Sequence, residues 1–272
     1  MTNAYNFFYI IRKILLSSTQ KDIQWKVIRT YLSLSLKDQN RSDKPVKITD
    51  FQVNYLNFNL LKYLFGEIFI KNEYLFRTNT TKPQIIDCGS NIGMSVLFFA
   101  LVYPECSILA FEPDEPTFLV LQENIRQNNL DNVSLQMKAL SNHDGTVDFY
   151  FDHENPGRLT MSTIKERMPK ENKEVLSTRL SNYIEREVDF LKLDVEGSET
   201  EVIEDLRREN KIRLINQMAI EYHHHIKKGE DNLSKILTIL EESNFGYQVD
   251  CSSPRPWKPN KFQDILIYAY RK

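Results

Sequence analysis

Two hydrophobic rhythms alternate along the chain: short β-branched runs bounded by turn residues, and segments whose apolar residues recur every three or four positions. Ile85-Ile86-Asp87 reads as a buried strand, and Ile92, Val96, Phe99 and Ala100 behind it keep helical spacing as far as Tyr103-Pro104. Residues 107–111 read as the next strand. Asp114-Glu115-Pro116 starts a helix, with proline tolerated in its first turn. Phe118, Leu121 and Ile125 form its buried face, and Asn128-Asn129 stops it. A third strand begins at 132–135, a fourth covers 188–194 and a fifth 217–223. Between the last two, Ser198 and Glu201 have the spacing of a capping box ahead of Val202, Ile203 and Leu206. Leu233, Ile236, Leu237 and Leu240 make a further helix. Residues 246–249 and 264–270 close the sheet as an antiparallel pair, separated by Pro254 to Pro259. This alternation predicts an α/β chain with a Rossmann-like, doubly wound, mostly parallel sheet.

The flanking segments are less regular. Phe51, Val53 and Tyr55 alternate, and Leu60, Leu64 and Ile68 follow helical spacing, so a strand or hairpin and a helix precede the core. Residues 78–83 read as a turn, 140–145 as another, and 146–151 as an inserted strand. Residues 152–173, with Pro156-Gly157 and Pro169, show no periodicity, and loops of this length are usually lids or binding loops. The expectation is a substrate-side flap.

The first forty residues interleave Phe7, Phe8, Ile10, Ile11, Ile14 and Leu15 with Arg12, Lys13, Lys21, Lys26 and Arg29. The apolar run is too short and too charged to span a bilayer, and it lacks the cleavage site of a secretory signal. Residues 1–46 are expected to form a helical extension that caps the domain or makes a homodimer contact. The other reading is an interfacial helix on anionic lipid. Residues 38–45 read as a polar linker.

The first chemical signal is Ile85-Ile86-Asp87-Cys88-Gly89-Ser90-Asn91-Ile92-Gly93. Gly89 lets the backbone turn and leaves room for a ligand, and the helix start offers free N–H groups. Gly89, Ser90, Asn91, Gly93 and Ser95 are therefore candidate contacts. The spacing lacks the close glycines of a dinucleotide fingerprint. Asp87 would repel a pyrophosphate but suits an ammonium group. A cationic ligand without phosphate is implied, and S-adenosylmethionine (SAM) fits, with its α-ammonium, sulfonium and adenosine. The next strand ends at Glu112-Pro113-Asp114, where an acid commonly takes the ribose hydroxyls.

Ile-Ile-Asp-Cys-Gly-Ser-Asn-Ile-Gly, then Ala-Phe-Glu-Pro-Asp, then Leu-Lys-Leu-Asp-Val-Glu-Gly-Ser-Glu at 191–199 resemble the FkbM family of SAM-dependent methyltransferases. The resemblance runs from about Lys47 to the C-terminus, and the Asp-Val-Glu-Gly-x-Glu element is its most specific part. It implies a class I SAM-dependent methyltransferase domain over 47–272. It also implies O-methylation of hydroxyls on sugars, glycans or polyketide-like products, and places Ala139 and Leu140 beside the adenine.

The chain has 272 residues, 41% of them hydrophobic, with mean hydropathy -0.44, values that suit a soluble globular protein. A formal charge of -2 and a pI near 6.3 argue against nucleic acid as partner, as does the absence of an Asn-Pro-Pro-Tyr-type element after the fourth strand. Cys88, Cys106 and Cys251 have no metal or CxxC spacing, so reduced thiols and a cytoplasmic home are expected.

Two strand ends concentrate polar groups. Lys192, Asp194 and Glu196 share one face if the chain stays extended, as do Glu221 and His223 on the next strand. Lys192, in an apolar strand, must be paired with an acid. Methyl transfer to a weakly acidic hydroxyl needs either a base, His223 or a carboxylate, or a divalent cation held by Asp194, Glu196, Glu221 and His223. Glu199 is read as a stabiliser of its helix N-terminus. His143 and His153 are read as exposed. Alternation splits His223-His224-His225 across two faces, so at most two converge, which argues against a metal tract. The competing class is a non-catalytic SAM-binding or assembly module.

Overall fold

The computed structural model describes residues 2–36, 45–154, 157–227, 229–251, 258 and 261–272. From the N-terminus, α1 (Thr2–Leu15) and α2 (Lys21–Leu36) lie against each other. β1 (Val46–Ile48) and β2 (Phe51–Val53) form a short antiparallel ribbon, and α3 (Phe58–Phe65) is prolonged by a π-helical turn over Gly66–Ile70. Then β3 (Gln84–Cys88), α4 (Met94–Val102), β4 (Ser107–Phe111), α5 (Glu115–Gln127) and β5 (Val133–Gln136) alternate. β6 (Ala139–Leu140), β7 (Gly145–Phe151) and β8 (Glu171–Thr178) make a second, smaller sheet. β9 (Val188–Leu193), α6 (Glu199–Arg208), β10 (Ile215–His224), α7 (Leu233–Glu242), β11 (Phe245–Cys251) and β12 (Gln263–Arg271) complete the chain.

The main sheet runs β11-β12-β10-β9-β3-β4-β5, parallel except for β12. The doubly wound expectation holds, including the antiparallel closing pair. The strand order reverses between β3 and β9, and a crevice opens beyond their carboxyl ends, the place where such sheets bind ligands. Apolar layers cover both faces. One gathers Phe98, Phe99, Leu121 and Phe190; the other gathers Leu191, Val202, Leu206, Ile236 and Leu240.

The sequence rules explain most ends. Asn57 caps α3 and Asp114 caps α5, whose second residue is Pro116. The Ser198–Glu201 capping box does not form: the Ser198 side chain makes no cap bond and instead lies 2.8 Å from the Thr163 hydroxyl. Strand β8 has no counterpart in the hydrophobic pattern, because Val175 and Leu176 are its only apolar residues and they do not alternate. The aperiodic flap is consequently shorter than 152–173, since pairing with β7 begins at Glu171.

The N-terminal helices join the domain core. Ile14, Ile23, Val27, Ile28 and Leu34 bury in the same cluster as Leu61, Phe65 and Phe98, and the Thr49 N–H donates to Thr30 Oγ1 at 2.8 Å. The expected linker lies almost wholly outside the described residues, as does most of the segment from Pro254 to Pro259. Among the described residues no helix is long and apolar enough to cross a membrane.

Candidate active site

The crevice begins at the turn after β3. Gly89 has φ +84°, and a Cβ there would fall 1.8 Å from the Asp194 carbonyl oxygen. The glycine is thus required by the backbone of the β9 end crossing over it, and the space expected for a ligand is filled by that carbonyl. Asp194 N–H in turn donates to Cys88 O at 3.1 Å. The ends of β3 and β9 are locked together at the switch point.

Lys192 reinforces that lock. Its ammonium, 3% exposed, donates to Gly89 O at 2.7 Å and to Cys88 O at 3.3 Å, and lies 3.2 Å from Asp194 Oδ2. Asp87 Oδ1 is 3.3 Å away, in an ion pair whose angle falls short of a hydrogen bond. Burial alone would lower the Lys192 pKa, but Asp194, Asp87 and Glu221 outweigh it and hold it raised. The pairing anticipated for this lysine is present, with two acids.

Asp87 is fully buried beneath the cleft and accepts a hydrogen bond from the Ser95 hydroxyl. The cleft opens above it, between the carboxyl ends of β3, β4 and β9. Gly89, Ser90, Asn91, Ser95, Glu112, Pro113, Ala139, Leu140, Lys192, Asp194 and Glu196 line it, whereas Asp87, Gly93, Asp114, Glu221 and His223 do not. Gly93 caps the start of α4, and Asp114 accepts from Thr117 on α5 and pairs with Lys173 at 2.9 Å.

Glu112 sits at the end of β4, as expected. One oxygen accepts from Asn91 N–H at 3.0 Å and the other from Asp114 N–H at 2.9 Å. Burial pushes its carboxyl up to about 8 against the pull of these donors. Phe111, from the Ala-Phe-Glu-Pro-Asp motif, adds apolar wall together with Phe149 and Met161, and Lys138 adds a cation; the last three lie in no motif.

Beyond Asp194 the chain does not stay extended. Glu196 and Gly197 have φ of +57° and +122°, so Glu196 is brought round by a turn rather than by strand alternation. Ile220 pairs with Leu193, which sets Glu221 beside Asp194 on the neighbouring strand. His223 is buried in this corner. Its Nε2 is 3.2 Å from Glu196 Oε2 and 3.9 Å from Asp194 Oδ1. Its Nδ1 is 2.9 Å from Glu199 Oε1, which also accepts from Val195 N–H and Gly197 N–H. A carboxylate oxygen only accepts, so His223 Nδ1–H donates and Nε2 faces the other acids.

Glu199 is therefore not merely a helix-terminus charge. It is completely buried and fixes the imidazole. Burial lowers the His223 pKa, but Glu196, Glu199 and Asp194 outweigh it and raise it well above the usual value. Burial pushes Glu196 up to about 7, with His223 pulling it back, and raises Glu221 well above the carboxylate range, with Asp194 adding to the effect.

The flap is seated on this corner. Ser162 Oγ donates to Glu196 O at 2.5 Å, and Arg167 binds Glu196 Oε2 through Nε at 2.8 Å while stacking 4.1 Å from the Phe262 ring. Arg167 and Ser162 lie in the aperiodic segment and carried no sequence signal, and Glu199 was read only as a helix-terminus charge. His143 and His153 are exposed, as anticipated. His224 and His225 do converge, both near Asp231, because His225 takes φ +60° and breaks the alternation that would have parted them.

The sheet order, the switch-point cleft and the acid at the end of β4 are those of a class I SAM-dependent methyltransferase. Among solved structures, methyltransferase FkbM from Methylobacillus flagellatus KT superposes with a TM-score of 0.51 at 15% identity over 99% of this chain, which spans 60% of that structure's length. Residues 87–249 match the sequence model of the methyltransferase FkbM domain. The chain is 30% identical over 233 residues to methyltransferase 1 of Beauveria bassiana, covering 78% of this chain and 90% of that protein. Over 236 residues it is 26% identical to methyltransferase sdnD of Sordaria araneosa, covering 75% and 88%. A shorter match, 35% over 74 residues, joins 26% of the chain to 28% of the 31-O-demethyl-FK506 methyltransferase FkbM of Streptomyces tacrolimicus. The chain belongs to the FkbM methyltransferase family and is a methyltransferase.

Proposed function

We propose that the chain transfers the methyl group of SAM to a hydroxyl of a saccharide, a glycan or a similarly hydroxylated small molecule. The observation that carries this reading is Asp194. Its carboxylate lines the same cleft as Glu112, with one oxygen facing Lys192 and the other facing His223. SAM, when bound, supplies a sulfonium methyl that needs an aligned oxygen nucleophile.

The residues fit such a ligand. Each Glu112 oxygen takes one backbone N–H and keeps a lone pair for a ribose hydroxyl. Pro113, Ala139 and Leu140 offer an apolar wall for the adenine. Gly89, Ser90, Asn91 and Ser95 border the amino-acid end, above Asp87, while Gly93 and Asp114 shape the helix starts behind it. In this reading Asp194 accepts the proton of the acceptor hydroxyl. Lys192 and His223 are positioning residues for Asp194, Glu199 holds His223, and Glu196 and Glu221 complete the acidic surround. A hydroxylated acceptor is supported by the Streptomyces tacrolimicus relative, whose name specifies an O-demethylated substrate. A cytoplasmic location remains the expectation drawn from the three free cysteines.

A second reading has its own observation. The ligand atoms of Asp194, Glu196 and His223 lie within 4.8 Å of one another, a set able to take a divalent cation. Chelation decides between the two: EDTA abolishes turnover, and Mg²⁺ or Mn²⁺ restores it, only if a metal is used.

Glu112→Ala is expected to weaken binding of S-adenosylhomocysteine by about 1–3 kcal/mol through lost charge-assisted bonds. Calorimetry showing unchanged affinity would move the ribose contact elsewhere. The pKa near 8 gives a sign as well. A diol binds the carboxylate better than the acid, so affinity for 5′-methylthioadenosine, which has no amine or carboxyl, should tighten as pH rises through that value. Glu112→Gln should abolish the pH dependence, and a flat profile in the parent chain would remove Glu112 from the contact.

A chain beginning near Lys44 is expected to keep cofactor affinity, because no cleft residue lies before it. It should melt at lower temperature, since the π-helical turn over Gly66–Ile70 loses its cover from α1 and β1 its cover from α2. Loss of all affinity in a folded shortened chain would assign the N-terminal helices to the site.

A further inference from the structure

The N-terminal helices bury one side and leave another uncovered. On α1, Phe8 is 70% and Leu15 46% exposed; on α2, Trp25 is 58%, Leu32 37% and Leu36 87% exposed. Phe8, Arg12 and Leu15 stand at positions i, i+4 and i+7, and so do Trp25, Arg29 and Leu32, with Leu36 one turn further. Residues at that spacing share a helix face. Both helices thus repeat one arrangement, an exposed arginine between large exposed apolar side chains.

The charges are as uneven as the apolar groups. Residues 1–36 hold five Lys or Arg and a single acid, Asp22, in a chain whose formal charge is -2. Lys26 is engaged by Asp50 at 2.7 Å and by Asp22 at 3.8 Å. Arg12, Lys13, Lys21 and Arg29 have no ion-pair partner among the described residues.

We propose that the α1–α2 hairpin docks on the surface of an anionic lipid bilayer. Aromatic and leucine side chains enter the headgroup–acyl boundary while the interleaved cations meet lipid phosphates, the division of labour of interfacial helices. Trp25 suits that boundary, with an apolar ring body and one N–H that stays wet. Neither helix is long and apolar enough to span the membrane, so the attachment is peripheral. A second copy of the chain is the weaker occupant, because two faces each carrying unpaired cations would repel. The inference is independent of the acceptor and of the transfer chemistry.

The test is co-sedimentation of the full chain with vesicles of phosphatidylcholine alone and of phosphatidylcholine mixed with phosphatidylglycerol. Binding to the anionic vesicles alone, weakened by salt, is expected. Arg12→Glu with Arg29→Glu should cut the partition coefficient by about tenfold or more. Trp25→Ser with Leu36→Ser should reduce it without altering affinity for S-adenosylhomocysteine, which verifies that the variants are folded. Equal binding to both vesicle types, or none by the folded parent chain, overturns the proposal. So does a dimer in light scattering that Trp25→Ser with Leu36→Ser disperses, since the face would then belong to a second copy.

Discussion

Asp194→Asn is expected to lower kcat by about 10²–10⁴-fold while changing affinity for S-adenosylhomocysteine far less. The substitution keeps shape and removes the charge that faces Lys192 and His223. A carboxylate in this place serves as base in one reading and as metal ligand in the other, so the loss is expected in both, and chelation separates them. Glu221→Gln is the companion variant. Glu221 lies beside Asp194 on the neighbouring strand, and its burial raises its pKa well above the carboxylate range, with Asp194 adding to the rise. Full kcat in both variants, singly and together, with no response to EDTA, would remove the chemistry from these strand ends and assign it to the flap.

Lys192→Met is expected to destabilise the fold by about 3–5 kcal/mol, because breaking a buried pair from one side leaves the other charge uncompensated. Here two acids lose their cation, Asp87, which is fully buried, and Asp194. The Gly89 and Cys88 carbonyls lose their donor as well. Adding Asp87→Asn should recover a large part of the loss, since one stranded charge is then removed. Urea midpoints that match between the single variant and the parent chain would show that the ammonium is not what holds this junction. Because the Lys192 pKa is raised, the pairing persists as pH rises, and its contribution is lost only when the lysine itself deprotonates at strongly alkaline pH.

Much of this was legible in the residues. Ile85-Ile86 and the residues after Gly89 announce a strand, a turn and a helix because burial on both faces demands a continuous apolar run and the helix a 3.6-residue period. Glu112 is visible through its distance from that turn, and the Asp-Val-Glu-Gly-x-Glu element marks the family. What stayed hidden depends on contacts between distant segments. Nothing local tells that Glu199, an ordinary acid at a helix start, is completely buried under His223, or that Arg167 crosses from an aperiodic loop to Glu196. The Ser198 pattern was misleading, since a competing hydroxyl, Thr163, took the side chain a cap would have used. Strand β8 escaped because a half-exposed strand on a small sheet needs few apolar residues, so no rhythm records it. The histidine run misled for a related reason: alternation is a property of extended chain, and His225 is not extended.

The ribbon of β7 and β8 has an evolutionary consequence. Their pairing from Gly145↔Ser177 to Phe151↔Glu171 fastens both ends of the flap to each other rather than to the main sheet. An insertion or deletion within the flap is absorbed beyond that fastening, and the entropy of closing a loop grows only slowly with length. Under the expectation that this flap faces the acceptor, its residues can therefore drift or be exchanged while β3, β9 and β10 keep their register. A lineage built this way can change what it methylates one loop at a time, without passing through sequences that fail to fold.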